Sequence, residues 1–153
     1  MLAVAAACSL TGLVLGYPYL AELALWLVIN FACLLGGFLI HEGAHALAGR
    51  RFRGISSFVV SSSMFRFSIA PVGRLYGWQI AVMALAGPVA AAAAGLVLWA
   101  AVPGLLLHWW FWPHLVFLAP LFGDGRSLVV GIRHWSARVP LHAQPPEAAG
   151  EAQ

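Results

Sequence analysis

The sequence predicts an all-α polytopic membrane protein of about four transmembrane helices, with a membrane-associated β-hairpin between the second and third. Three observations carry this. Hydrophobic residues make up 62% of the 153 and charged residues only 8%, against about 25% charged in an ordinary soluble domain. The apolar residues gather into stretches of the length a helix needs to cross a bilayer, roughly 20 residues. The net charge of +3 comes from arginine alone, and the arginines fall in two places, Arg50 to Arg74 and Arg126 to Arg138. That clustering reads as membrane orientation; a nucleic-acid partner would need a solvated basic face and is excluded.

The first apolar segment covers residues 1–16. No positive charge precedes it, so it reads as a first transmembrane helix and not as a signal peptide. Tyr17-Pro18-Tyr19 then marks a turn at the headgroup level. The second segment, residues 20–49, is longer than a bilayer requires, and Glu22 near its start suits the positive end of a helix. The third covers residues 75–102 and closes at Pro103-Gly104. The fourth covers residues 109–132 and opens on Trp109-Trp110-Phe111-Trp112. These make one core over residues 1–138, and residues 139–153, which contain Pro, Ala and Glu without periodicity, read as a disordered cytoplasmic tail.

Residues 50–74 have a different texture. Val59 and Val60 precede Ser61-Ser62-Ser63, and Phe65, Phe67 and Ile69 then alternate with polar or flexible residues. Alternation on the far side of a serine turn predicts a β-hairpin. A hairpin with free edges must lie at the interface or against helices. The loops carrying arginine belong to the cytoplasm, so the second and fourth helices both run inward and the third runs outward. Cys8 and Cys33 lack the paired spacing of a metal or redox motif and read as small apolar-facing residues.

The chemistry is concentrated in His41-Glu42-Gly43-Ala44-His45, inside the second apolar segment. Histidines four apart on a helix point from one face, and a glutamate beside them is the arrangement of a zinc hydrolase. A charged side chain at the centre of a bilayer costs on the order of 2–4 kcal/mol, so such groups are kept there for a purpose. Asp124 is the other acidic residue deep in a span. His41 and Asp124 each lie nine residues before an arginine, Arg50 and Arg133, or about 13 Å along a helix. Since the two helices run the same way, His41, His45 and Asp124 share a level. Two imidazoles and a carboxylate suit one Zn2+ per chain with a fourth position for water. Glu42 is then the general base that moves the water's proton to the leaving amine. Asp124 has two plainer readings, a helix-start cap within Gly123-Asp124-Gly125-Arg126 and a partner for Arg126. His108, His114, His134 and His142 read as structural or interfacial residues.

The chain resembles the site-2 protease family of intramembrane zinc metalloproteases. The resemblance rests on His41-Glu42-Gly43-Ala44-His45, Ala86-Gly87-Pro88 in the third segment, and Asp124-Gly125 followed by Arg126 in the fourth. It implies a minimal form without a substrate-filtering domain, cleaving membrane-embedded protein substrates from near the cytoplasmic side in regulated intramembrane proteolysis. It also implies a regulatory membrane partner, and a hairpin that holds unwound substrate by strand addition, with Phe65, Phe67 and Ile69 as substrate contacts. Arginine and alanine usage without lysine indicates a GC-rich bacterial genome, hence a multi-pass protein of the bacterial inner membrane. The family usually carries asparagines a few residues after Gly-Pro and ahead of Asp-Gly; here the residues a few places after Pro88 are alanines, and residues 117–123 contain no asparagine. That departure speaks for the alternative, a catalytically inactive relative acting as a membrane scaffold or chaperone, and the intact set of His41, Glu42, His45 and Asp124 speaks against it. A metal-handling membrane protein would need further ligands along a path, which the spans do not offer.

Overall fold

The computed structural model describes residue 7 and residues 10–12, 14–63 and 66–141. Helix α1 is Pro18–Gly49, strands β1 and β2 are Ile55–Ser63 and Arg66–Tyr76, and helix α2 is Gly77–Ala101. Three 3-10 turns follow at Pro103–Leu105, Leu107–Trp110 and Trp112–Leu118, then helix α3 at Gly123–Arg133 and strand β3 at Arg138–Leu141. Helices α1 and α2 are long and apolar enough to cross a membrane, which marks a membrane protein. A third span exists only if the broken stretch Leu107–Leu118 and Gly123–Arg133 is taken as one. The first predicted helix, residues 1–16, lies mostly outside the described residues.

The chain divides into two compact units. The first takes Met1–Leu39 and Ala91–Pro113. Asn30 is buried there, and its side chain donates to the Trp26 carbonyl at 2.8 Å and accepts from Trp110 Nε1 at 2.7 Å. An amide in an apolar helix is tolerated when both of its ends are satisfied in this way. His108 is buried in the same unit, its ring tilted 53° against that of Trp112 with centroids 4.7 Å apart.

The second unit takes Ile40–Ala90 and His114–Gln153. Its core is Leu75, Ile80 and Met83, with Ala48, Phe52, Ile55, Val139 and Leu141 packed around them. The sheet is antiparallel in the order β1-β2-β3. Strand β2 pairs with β1 from Ser63↔Arg66 back to Ile55↔Gly73, and with β3 from Gly73↔Leu141 to Tyr76↔Arg138. Helices α2 and α3 cross closely: a Cβ added at Gly131 would lie 2.7 Å from both the Ala81 nitrogen and the Gly77 carbonyl oxygen. Small residues at a crossing let two backbones approach, the usual means of packing helices in a membrane.

Four predicted features need correction. The serines form no turn: Ser61, Ser62 and Ser63 belong to β1 and pair with Ser68, Phe67 and Arg66 of β2. The third helix starts at Gly77, because Leu75 and Tyr76 are held in β2 by β3. The fourth segment, residues 109–132, is not one helix. Pro113 and Pro120 each remove an amide donor, and the chain runs as 3-10 turns until α3 starts at Gly123. Finally, the predicted tail at 139–153 loses its first three residues to β3, so the fold has a third strand that no local alternation announces. Residues 142–153 lie outside the described residues.

Candidate metal centre

Helix α1 supplies His41, Glu42 and His45, and α3 supplies Asp124 in its first turn. The spacing of α1 stacks the two imidazoles on one face. Their rings stand edge to face with centroids 4.8 Å apart. His41 Nε2 lies 3.1 Å from His45 Nε2 and 3.0 Å from Asp124 Oδ2, and His45 Nε2 lies 3.4 Å from Asp124 Oδ1. Two imidazole nitrogens and the two oxygens of one carboxylate therefore gather in a small space, and one ligand atom from each of the three residues lies within 4.8 Å of the others. For a tetrahedral ion with bonds of about 2.0–2.1 Å, the distance between two ligand atoms is about 3.3 Å. The separations of neighbouring atoms in the cluster, 3.0 Å, 3.1 Å and 3.4 Å, are close to that spacing.

Each member is held from outside. His45 Nδ1 sits 2.7 Å from the Met83 carbonyl oxygen. A carbonyl only accepts, so His45 carries its proton on Nδ1, and in the neutral ring Nε2 offers a lone pair to the cluster. This fixing of the far nitrogen is what metal-binding histidines require. Met83 lies in α2, just ahead of Gly87-Pro88. The reason for glycine at 87 is close approach: a Cβ there would collide with the His45 ring and lie 2.9 Å from the His41 carbonyl oxygen. His41 is buried and is gripped by rings, with the centroids of His114 and Phe117 each 5.3 Å away. Its Nδ1 has no hydrogen-bond partner among the described residues.

Asp124 settles between its alternative readings by where its oxygens go. They face His41 and His45, no ion pair joins it to Arg126 among the described residues, and the start of α3 has no side-chain cap. The first turn of a helix also favours a carboxylate electrostatically. Glu42 and Asp124, with His45, line a cavity of about 200 Å³ whose wall includes Pro71 and Leu75 of β2 and Leu141 of β3. A carboxylate beside an open metal position, in a cleft edged by strand, can deprotonate a water against a bound peptide.

The other predicted residues fall as follows. Glu22 is exposed near the start of α1, His108 belongs to the first unit, and His134 follows α3. Phe65 and His142 lie outside the described residues. Phe67 and Ile69 pair across β1 with Ser62 and Val60. The sheet residues that border the cleft, Pro71, Leu75 and Leu141, carry no distinguishing mark in sequence. From sequence His114 reads as a structural residue; its place against His41 has no local signal, since 73 positions separate them. No family model matches the chain, and no curated protein or solved structure matches it.

Proposed function

We propose that this protein is an intramembrane zinc-dependent endopeptidase, hydrolysing peptide bonds in or near the transmembrane segments of membrane-protein substrates. The observation that carries the reading is the cluster of His41, His45 and Asp124 ligand atoms at the cleft that Glu42, His45 and Asp124 line. A zinc ion held by those three residues would supply Lewis acidity and a water of near-neutral pKa. The remaining work belongs to side chains. Glu42 takes the proton of the attacking water and passes it to the leaving nitrogen as the peptide bond breaks. The Met83 carbonyl keeps the His45 lone pair aimed inward, and His114 with Phe117 keeps the His41 ring from turning. An extended substrate suits the cleft, because peptide bonds in a helix are shielded by their own hydrogen bonds. Strand β3 pairs only with Gly73–Tyr76, so the rest of that edge of β2, residues 66–72, is open among the described residues for strand addition. In the bilayer the site would sit toward the cytoplasmic side, with the arginine-rich loops.

Metal content of the detergent-purified chain tests the first half of the reading. One zinc per chain is expected, lost in both His41→Ala and Asp124→Ala. The second half needs Glu42→Gln, which should keep the zinc while cleavage of a panel of transmembrane reporter proteins falls about 10²–10⁴-fold. A folded parent without zinc would sink the reading. Undiminished cleavage by Glu42→Gln would remove Glu42 from the chemistry.

A further inference from the structure

Arg53, Arg74 and Arg138 come from three separate segments, the turn ahead of β1, strand β2 and strand β3, and they line one cavity of about 220 Å³ together with Tyr76 and Gln79. The sheet register explains how. Arg138 pairs directly with Tyr76, and alternate residues of a strand share a face, so Arg74, Tyr76 and Arg138 stand on one side of the sheet. Leu75, Val139 and Leu141 stand on the other and pack into the core. The Arg74 amide donates to the Gly54 carbonyl at 2.9 Å, which brings the turn carrying Arg53 alongside.

Apart from Tyr76, the polar side chains that line this cavity offer donors. Each guanidinium presents a fork of N–H groups and no acceptor. Gln79 spends its carbonyl oxygen on the Tyr76 amide at 3.0 Å, which leaves its NH2. Arg138 is placed over the Tyr76 ring, 5.0 Å from the centroid. No carboxylate pairs with any of the three arginines among the described residues. Three like charges gathered from distant segments repel unless an anion bridges them, and the planar fork of arginine matches phosphate oxygens two at a time.

We propose that the cavity lined by Arg53, Arg74 and Arg138 is a binding site for a phosphate group, carried by an anionic phospholipid headgroup or by a free phosphate anion. The site lies on the opposite face of the β2–β3 pair from the cleft and does not depend on the metal reading. Trp78 and Trp135 are 39% and 55% exposed and are joined where the Trp78 amide donates to the Trp135 carbonyl at 3.1 Å. Exposed tryptophans next to arginines are what the headgroup layer of a membrane selects.

The test uses the full chain in two settings. In detergent it is titrated with inorganic phosphate; in nanodiscs of phosphatidylcholine, with and without phosphatidylglycerol, retained phosphatidylglycerol is counted by native mass spectrometry. Saturable binding is expected, weakened about fivefold in Arg138→Gln and about a hundredfold in the triple Arg53→Gln, Arg74→Gln, Arg138→Gln variant. Arg133→Gln, which removes the same charge outside the cavity, should bind as the parent does. Unfolding midpoints in detergent establish that the variants are folded, and if the triple variant is not, Arg138→Gln decides. Binding of inorganic phosphate alone identifies a free anion. Retention of phosphatidylglycerol that phosphate does not displace identifies the headgroup. Absence of saturable binding in both settings, or an equal loss in Arg133→Gln, overturns the proposal.

Discussion

Gly87 shows how one residue governs the geometry of another. The His45 ring occupies the space where a Cβ at position 87 would go, and the His41 carbonyl closes the same gap. Gly87→Ala therefore pushes the His45 ring away and breaks or lengthens its hydrogen bond to Met83. Overpacking of this kind costs about 1–3 kcal/mol, and loss of a second contact behind a metal ligand weakens metal binding by about 10–100-fold. The expected result is a folded protein whose zinc affinity, measured by competition with a chromophoric chelator, falls by that factor. Unchanged affinity would mean that the Met83 carbonyl does not orient His45. His114 and Phe117 act on His41 in the other way available, by packing, and the two histidines are thus held by different forces.

At the scale of elements, Asp124 is delivered by the docking of α3 on α2. Gly131 is a point of close approach, and Asp124 lies seven residues earlier, two turns along the same helix. A leucine at Gly131 must force the helices apart, since its Cβ meets backbone and not a movable side chain. Gly131→Leu should lower the thermal unfolding midpoint in detergent and also reduce zinc content, although the substitution is far from any ligand atom. Zinc retained at full occupancy would show that the first turn of α3 holds its place without that crossing. The break between Leu118 and Gly123 belongs to this scale too. A continuous fourth helix would have fixed Asp124 by its own periodicity, whereas a short helix after a break depends on what it packs against.

For the whole molecule, a metal bound between α1 and α3 cross-links segments 79 positions apart. Binding to the folded state alone stabilises it by about 2.7 kcal/mol when free metal is a hundredfold above the dissociation constant. Chelation should therefore lower the unfolding midpoint of the parent by several degrees and leave Asp124→Ala where it was. An equal drop in both would place the stabilising metal elsewhere. Much of this site was legible beforehand because its strongest signal is local. Helical periodicity in an apolar segment suffices to put His41 and His45 on one face with Glu42 between them, and equal distance from an arginine brought Asp124 to their level. The long apolar runs likewise marked α1 and α2. What the tertiary structure decided are contacts between residues far apart in the chain. Among these are the β3 strand added at Arg138–Leu141, the Met83 carbonyl behind His45, His114 against His41, and the convergence of Arg53, Arg74 and Arg138. A sequence encodes each of those partners separately, and no period of 3.6 or 2 relates them; only packing brings them together.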